Sequence, residues 1–158
     1  MFGSNNNIAI IYATNSGNTW YVAECIQKAL NAKKITADVY QAGECDQKIF
    51  TRYKRIIIGS CTWNRKARDA KLEEGHLQDQ METLLAACEN GVCKGTRFAV
   101  FGLGDKDYTY FCRAADYLEN FVKRTAGEQV GATLRVNGFP QGQEKMIEKW
   151  AGEIAERL

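Results

Sequence analysis

The chain has 158 residues, of which 45% are hydrophobic and 25% charged, and its formal net charge is +2. This composition is typical of one soluble globular domain, and no apolar run approaches the ~20 residues that a membrane crossing needs. The charge is too small to indicate a nucleic-acid-binding protein, and the start MFGSNNN lacks the features of a signal peptide. We therefore expect a single cytoplasmic domain over residues 1–158, a monomer without nucleic-acid or membrane partners.

Short β-branched runs alternate along the chain with longer amphipathic stretches. This alternation predicts an α/β fold, a doubly wound five-stranded parallel sheet with helices on both faces. Runs such as RIIIGS and RFAVFGLG are continuously apolar, as expected for strands buried on both faces. The predicted strands span residues 8–13, 36–41, 55–59, 97–102 and 132–136. The predicted helices span residues 17–33, 77–89, 111–125 and 141–157.

One connection does not fit this alternation. It is the segment TWNRKARDAKLEEGH, which follows the third predicted strand. Its many charges predict a long irregular loop, and loops of this length inside compact domains are usually functional or mobile. His76, at its end, is interpreted as a loop or helix-start residue rather than a proton donor.

Three loops with unusual chemistry follow predicted strands. Ligands of open parallel sheets bind beyond the carboxyl ends of the strands, where the strand order reverses. The loops in question span residues 14–19, 60–65 and 103–112. If the strands lie in the order 2-1-3-4-5, the three loops converge on one crevice.

The first loop joins an apolar strand to a helix and carries no charge. Gly17 lets the backbone turn close to a ligand, and the unpaired N–H groups of a helix N-terminus suit a phosphate. The loop therefore predicts a phosphate site, with an ordinary N-cap and a solvated loop as the alternative. The residues that supply hydroxyls, amides or the turn are Thr14, Asn15, Ser16, Gly17, Asn18 and Thr19.

Several other functional motifs do not match the sequence. The first loop lacks the G-K-[ST] ending of a P-loop, and GLGDKD has Asp107 where a dinucleotide fingerprint needs its third glycine. Six scattered cysteines with no C-x-x-C and one histidine do not predict a zinc site, and we interpret the cysteines as reduced packing residues. Asp105 alone does not supply the acidic cluster of a response-regulator receiver.

The other two loops each carry an aromatic residue just past a strand end, Trp63 and Tyr108. Such a residue has no core position to fill unless its loop folds back, although either one alone would more commonly be a packing residue. Two aromatic rings across a crevice could sandwich a flat ring system. Together with the first loop, they predict a site for a flat cofactor that carries a phosphate.

These segments resemble the short-chain flavodoxins over nearly the whole chain. ATNSGNTWYVAE resembles the family's phosphate loop, [ST]-x-[ST]-G-x-T, while GSCTWN and GDKDYTYFCRAADYLE resemble its two flavin loops and LRVNGFP its last strand and turn. The resemblance implies a low-potential one-electron carrier with non-covalently bound FMN. It also supplies the strand order, because flavodoxins are themselves an example of the strand-end rule. Alternatives are an FMN-dependent NAD(P)H:quinone reductase of the same fold and the FMN domain of a diflavin reductase.

The resemblance also implies roles for single residues. Trp63 would cover the inner face of the flavin, Tyr108 would stack on its outer face, and Asn64 would lie near flavin N5, on a peptide that flips most easily when the residue is glycine. Cys61 and Cys112 would be packing residues near the flavin. Outside the phosphate loop, the predicted cofactor site consists of Ser60, Cys61, Thr62, Trp63, Asn64, Leu103, Gly104, Asp105, Tyr108, Tyr110, Phe111 and Cys112.

The charge departs from the family's usual pattern, since flavodoxins are commonly strongly acidic. The loop after Trp63 carries four basic residues, Arg65, Lys66, Arg68 and Lys71, which we call the basic patch. We expect it to dock an acidic redox partner, either the reductase that donates electrons or the oxidoreductase that accepts them. A solvated charged insertion is the alternative.

Overall fold

The computed structural model describes residues 6–66 and 72–158. The strands in this part of the chain are β1 (Ile8–Ala13), β2 (Ala37–Gln41), β3 (Arg55–Lys66), β4 (Leu72–Leu77), β5 (Arg97–Gly104), β6 (Glu128–Gln129) and β7 (Leu134–Asn137). The helices are α1 (Asn18–Ala32), α2 (Ile49–Arg52), α3 (Asp79–Ala86), α4 (Arg113–Arg124) and α5 (Glu144–Ala155), with a 3-10 turn at Ala42–Glu44. The α/β architecture predicted from the sequence is confirmed.

The sheet has the order β2-β1-β3-β5 followed by a last position that β6 and β7 share. Both short strands run parallel to β5, β6 beside Arg97 and Phe98 and β7 beside residues 101–104. The predicted order of the five main strands is therefore confirmed, with β7 as the fifth. The observed sheet differs from the predicted one by two additional strands, β4 and β6.

The prediction of a long irregular loop over residues 62–76 is wrong for residues 62–66 and 72–76, which are strands. β3 continues to Lys66, and β4 returns antiparallel to it, so that Thr62 pairs with Leu77 and Trp63 with His76. His76 accordingly lies in a strand, where its ring stacks on that of Tyr117 at 5.8 Å. We call this pair of strands the β3–β4 hairpin.

The core lies on both faces of the sheet, as the continuously apolar strands predicted. Along β3, Ile56 and Ile58 face the layer that contains α3 and α4, whereas Ile57 faces the layer that contains α1 and α5. Successive side chains of a strand point to opposite faces, so a strand covered on both sides must be apolar throughout. This packing fixes the carboxyl ends of β1, β3 and β5 beside one another.

The four predicted helices are present with ends that differ by one to three residues, as shown by α1, which begins at Asn18, and α5, which begins at Glu144. The short helix α2 and the 3-10 turn were not predicted. Among the described residues, none of the helices has the length and hydropathy that a membrane crossing requires.

Candidate functional site

The strand order reverses between β1 and β3, since the chain leaves β1 toward β2 on one side and returns on the other side. At such a point the connections after neighbouring strands diverge and leave a crevice at the carboxyl ends. The segments that follow β1 and β5, together with the outer part of β3, border this crevice.

The first loop turns into α1 through a left-handed residue. Gly17 has φ 93°, and its backbone N–H donates to the Thr14 hydroxyl oxygen at 2.9 Å. A Cβ atom added at Gly17 would meet no other atom within 4 Å, so the backbone angle, rather than crowding, explains the glycine. Asn15 and Ser16 are exposed beside the first turn of α1, whose N–H groups have no partners within the helix.

Thr19 is the buried member of the first loop. Its hydroxyl is fully buried and has no hydrogen-bond partner of ordinary geometry among the described residues. The Cys61 thiol lies close by: burial raises the pKa of Cys61, and the Thr19 hydroxyl opposes this rise. A thiol is a weak partner, so the hydroxyl of Thr19 is available to a stronger one.

The second predicted loop is a strand that leaves the parallel sheet. The Thr62 hydroxyl oxygen accepts from the Ala114 N–H at 3.0 Å and so joins β3 to the first turn of α4. The Trp63 indole N–H donates to the Leu77 carbonyl at 3.1 Å, which fixes the indole across the β3–β4 hairpin. Trp63 therefore does not fill the core, and it lies in a strand rather than in a loop.

The β3–β4 hairpin is irregular next to Trp63. Its pairing register shifts between Trp63 and Arg65, and the Asn64 side-chain oxygen accepts from the Gly75 N–H at 3.0 Å. Gly75 has φ 66°, and a Cβ atom there would lie 2.5 Å from the Tyr110 Cβ. This close approach of β4 and Tyr110 brings the second and third segments of the crevice together.

The third loop is held at its base by tight backbone packing. A Cβ atom at Gly104 would lie 2.5 Å from the Cys112 backbone nitrogen, and Cys112 itself has a left-handed φ of 50°. The Arg135 guanidinium donates to the Cys112 carbonyl at 3.0 Å and pairs with Asp116 at 2.6 Å. The Cys112 thiol is fully buried, and this burial raises its pKa to about 12.

The tip of the third loop is polar and open. The Asp105 side chain accepts from the Asp107 N–H at 2.9 Å, and the Asp105 carbonyl accepts from the Tyr108 N–H at 3.0 Å. Tyr108 is 67% exposed. The Arg113 guanidinium lies 4.7 Å from the centre of the Tyr110 ring. This turn thus presents Tyr108 without burying it.

Two cavities occupy the crevice, with volumes of about 360 Å³ and about 260 Å³. The larger lies against the β3–β4 hairpin and the third loop, and the smaller reaches the first loop. They are adjacent, because both are lined by Thr62, Gly104, Asp105 and Tyr108. We call the combined feature the groove. It runs from Ser16 and Asn18 at one end to Trp63 and Tyr110 at the other.

Most of the predicted site residues border the groove. Those that line it are Ser16, Asn18, Thr19, Cys61, Thr62, Trp63, Asn64, Leu103, Gly104, Asp105, Tyr108 and Tyr110. Those that belong to the same segments but are not among its lining residues are Thr14, Asn15, Gly17, Ser60, Phe111 and Cys112. Ser60, for example, is fully buried, and its hydroxyl oxygen accepts from the Gln78 N–H.

Sequence reasoning missed some of the lining residues. They are Glu74 and Gly75 from β4, Thr109 from the third loop, and Gly138 and Phe139 after β7. A signal existed for the last two, because the rule that ligands bind at strand ends applies to β7 as well.

The basic patch lies outside the described residues. The structure describes the backbone of Arg65 and Lys66 within β3 but not their side chains, and Arg68 and Lys71 fall in the segment 67–71. Within residues 6–66 and 72–158, no group of three His, Cys, Asp or Glu residues could hold a metal ion.

Together, the fold and the groove define a doubly wound α/β protein with two adjacent cavities at the carboxyl edge of its sheet. Comparison with known proteins gives the family: the sequence model of the flavodoxin family matches residues 10–150, and the chain belongs to this family.

The chain is similar to two bacterial proteins and to one solved structure of this family. The chain is 34% identical to the probable flavodoxin 2 of Bacillus subtilis over 87% of this chain and 86% of that protein. It is 31% identical to the flavodoxin of Maridesulfovibrio salexigens over 94% of this chain and 97% of that protein. The crystal structure of oxidised flavodoxin 2 from Bacillus cereus superposes with a TM-score of 0.83 at 28% identity, covering 96% of this chain and 99% of that one.

Proposed function

We propose that this protein is a low-potential one-electron carrier that binds FMN non-covalently in the groove. The observation that carries the proposal is that the two cavities of the groove lie side by side, with neutral donors at one end and Trp63 and Tyr108 at the other. Membership of the flavodoxin family supports the same cofactor.

The end of the groove at the first loop fits a phosphate. The backbone N–H groups at the start of α1 lack partners within the helix, and Thr19 has a buried hydroxyl without an ordinary hydrogen-bond partner among the described residues. A bound phosphate would supply the acceptor that these donors need. No charged side chain lies in the loop, so the phosphate would keep its negative charge.

The opposite end fits a flat ring system. Trp63 is fixed by its hydrogen bond to Leu77, and Tyr108 is exposed at the edge of the same cavity. A ring between them would be stacked on both faces, each contact contributing about 0.5–1.5 kcal/mol beyond the area that it buries. The polar edge of the ring would meet backbone groups near Thr62, Asn64 and Gly104.

We assign the following residues to the cofactor site. The phosphate end consists of Thr14, Asn15, Ser16, Gly17, Asn18 and Thr19. The flavin end consists of Ser60, Cys61, Thr62, Trp63, Asn64, Leu103, Gly104, Asp105, Tyr108, Tyr110, Phe111 and Cys112. The first loop would hold and orient the phosphate, while the aromatic residues would exclude water from the ring.

FMN, when bound, supplies reversible transfer of single electrons. The protein tunes this transfer through the charges it leaves near the ring. Because the first loop does not neutralise the phosphate, and because Trp63 and Tyr108 exclude water, the groove disfavours additional negative charge on the cofactor. We therefore expect a low reduction potential. Electrons would enter from a reductase and leave to an oxidoreductase in the cytoplasm, with this protein acting as a monomer.

Spectroelectrochemical titration of the purified protein with FMN tests this function. We expect FMN to bind with a 1:1 ratio and to be reduced in two resolved one-electron steps, the second at a lower potential than that of free FMN. A protein that ignores added FMN would contradict the proposal. Rapid turnover of NADH with a quinone would instead favour the NAD(P)H:quinone reductase.

The basic patch leads to a second prediction. We expect it to attract anionic redox partners, so electron transfer to ferricyanide should slow as salt screens the charges. A variant with glutamine at the four positions of the basic patch should react several-fold more slowly than the unmodified protein at low ionic strength and equally fast at high ionic strength.

The control for the basic patch carries the same change of net charge elsewhere. It replaces the exposed residues Lys94, Lys123, Lys145 and Lys149 with glutamine. Stopped-flow reoxidation of the reduced protein gives both rates. Equal salt dependence in the two variants would mean that only net charge matters and that the basic patch is an ordinary solvated insertion.

A further inference from the structure

The turn after β7 forms a wall of the groove that none of the three predicted loops supplies. It spans residues 137–143 and has the sequence NGFPQGQ. We call it the fourth segment. Two of its residues, Gly138 and Phe139, line the smaller cavity of the groove together with Ser16, Asn18 and Tyr108.

Hydrogen bonds attach the fourth segment to the third loop. The Gly138 N–H donates to the Gly104 carbonyl at 2.8 Å, and the Lys106 N–H donates to the Asn137 side-chain oxygen at 2.9 Å. The base and the tip of the third loop are thus each tied to the end of β7.

Other hydrogen bonds fix the turn internally and to α1. The Gln143 side-chain amide donates to the carbonyls of Asn137 and Phe139 at 2.8 and 2.6 Å. The Glu144 carboxylate accepts from the Gly142 N–H at 3.0 Å and from the Tyr21 hydroxyl at 2.6 Å. Because Tyr21 belongs to the helix that begins at the first loop, Glu144 links the fourth segment to α1.

Phe139 is the exception in this polar turn. Its side chain is 75% exposed, although its carbonyl is held by Gln143 and the following Pro140 is buried. An apolar ring held in water at the edge of a cavity gains nothing from the fold of the protein itself. It becomes more stable when a ligand covers it, because removing apolar surface from water is favourable.

We propose that Phe139 contacts the bound cofactor and packs against the carbon chain that links its phosphate to its ring system. This inference rests on the proposed function. The position follows from the cavity itself: Phe139 shares it with Ser16 and Asn18 at the phosphate end and with Tyr108 at the ring end. The part of FMN between these ends is the ribityl chain, whose carbon atoms offer an apolar surface.

Titration of the purified protein with FMN and with riboflavin, followed by quenching of flavin fluorescence, tests the inference. Replacing Phe139 with alanine (F139A) should weaken the binding of FMN about tenfold, which is the loss expected when one partly covered aromatic contact is removed. The binding of riboflavin should weaken by the same factor, because riboflavin has the ribityl chain but no phosphate. Phe139→Leu should recover most of the affinity, because leucine keeps an apolar side chain at this position.

Met146→Ala is the matched control. Met146 is also an exposed apolar residue, 42% accessible, but it lies on α5 and is not among the lining residues of the groove. We expect its replacement to leave both dissociation constants unchanged. Apo F139A should unfold at nearly the same temperature as the unmodified apo protein, since the Phe139 side chain is 75% exposed.

The outcomes separate the inference from the function on which it rests. If the unmodified protein does not bind FMN, the proposed function fails. If it binds FMN and F139A binds as tightly as Met146→Ala, the function stands and the inference is wrong. The inference is also wrong if F139A weakens the binding of FMN but not that of riboflavin, because Phe139 would then act at the phosphate.

Discussion

Replacing Ser16 with aspartate should abolish tight binding of FMN while leaving the binding of riboflavin almost intact. Ser16 is exposed in the first loop and lines the groove where we place the phosphate. Two like charges about 5 Å apart repel by about 3 kcal/mol at an effective dielectric of ~20. The dissociation constant for FMN should therefore rise at least about 100-fold.

Ser16→Asn is the matched control, because asparagine has nearly the shape of aspartate without its charge. It should bind FMN within about fivefold of the unmodified protein. The aspartate should not unfold the protein, since an acidic side chain beside the N-terminus of α1 is favourable. Fluorescence titration with both flavins decides the matter. If the aspartate and asparagine variants bound FMN equally well, the phosphate would not lie at the first loop.

Replacing Gly75 with alanine should destabilise the protein and weaken FMN binding together. Gly75 has φ 66°, which costs a residue with a side chain about 1–2 kcal/mol. Its new Cβ would also lie 2.5 Å from the Tyr110 Cβ, and relieving such overpacking typically costs a further 1–3 kcal/mol. We expect the free energy of unfolding to fall by about 2–5 kcal/mol, because both costs apply.

Gly91→Ala separates the two costs. Gly91 has a similar φ of 78°, but a Cβ atom there would meet nothing within 4 Å. Its replacement should cost only about 1–2 kcal/mol and should leave FMN binding unchanged. Urea denaturation and flavin titration measure both quantities. Equal losses of stability in the two variants would mean that the contact between β4 and Tyr110 does not constrain the third loop.

The apolar pattern was sufficient to predict the main strands, whereas the strand order that makes their loops converge came from the resemblance to flavodoxins. The continuously apolar runs of β1, β3 and β5 have few other stable arrangements than a sheet covered on both faces. The first loop was predictable for a local reason, because Gly17 must adopt a left-handed angle where α1 begins. Such features depend on neighbouring residues and can be read from them.

The β3–β4 hairpin could not be predicted in the same way. Its pairing register shifts next to Trp63, so the period-two pattern that marks a strand is interrupted. Its stability also depends on distant contacts, such as the stacking of His76 on Tyr117 and the packing of Gly75 against Tyr110. These contacts are properties of the folded chain rather than of any short window of sequence.

Phe139 was overlooked for a different reason. The three predicted loops have an unusual composition, whereas the turn after β7, with Gly138 and Pro140, has the composition of an ordinary connection. Its importance appears only when hydrogen bonds place it beside Gly104 and Lys106. Geometry, rather than residue type, identifies this residue.

A crystal structure of the protein with FMN is the most direct test of the groove as a single cofactor site. We expect the phosphate within about 3 Å of donors in the first loop, and the ring system between the side chains of Trp63 and Tyr108. Phe139 should lie against the chain that joins them. A phosphate bound away from residues 14–19, or a ring that leaves Trp63 uncovered, would contradict the account.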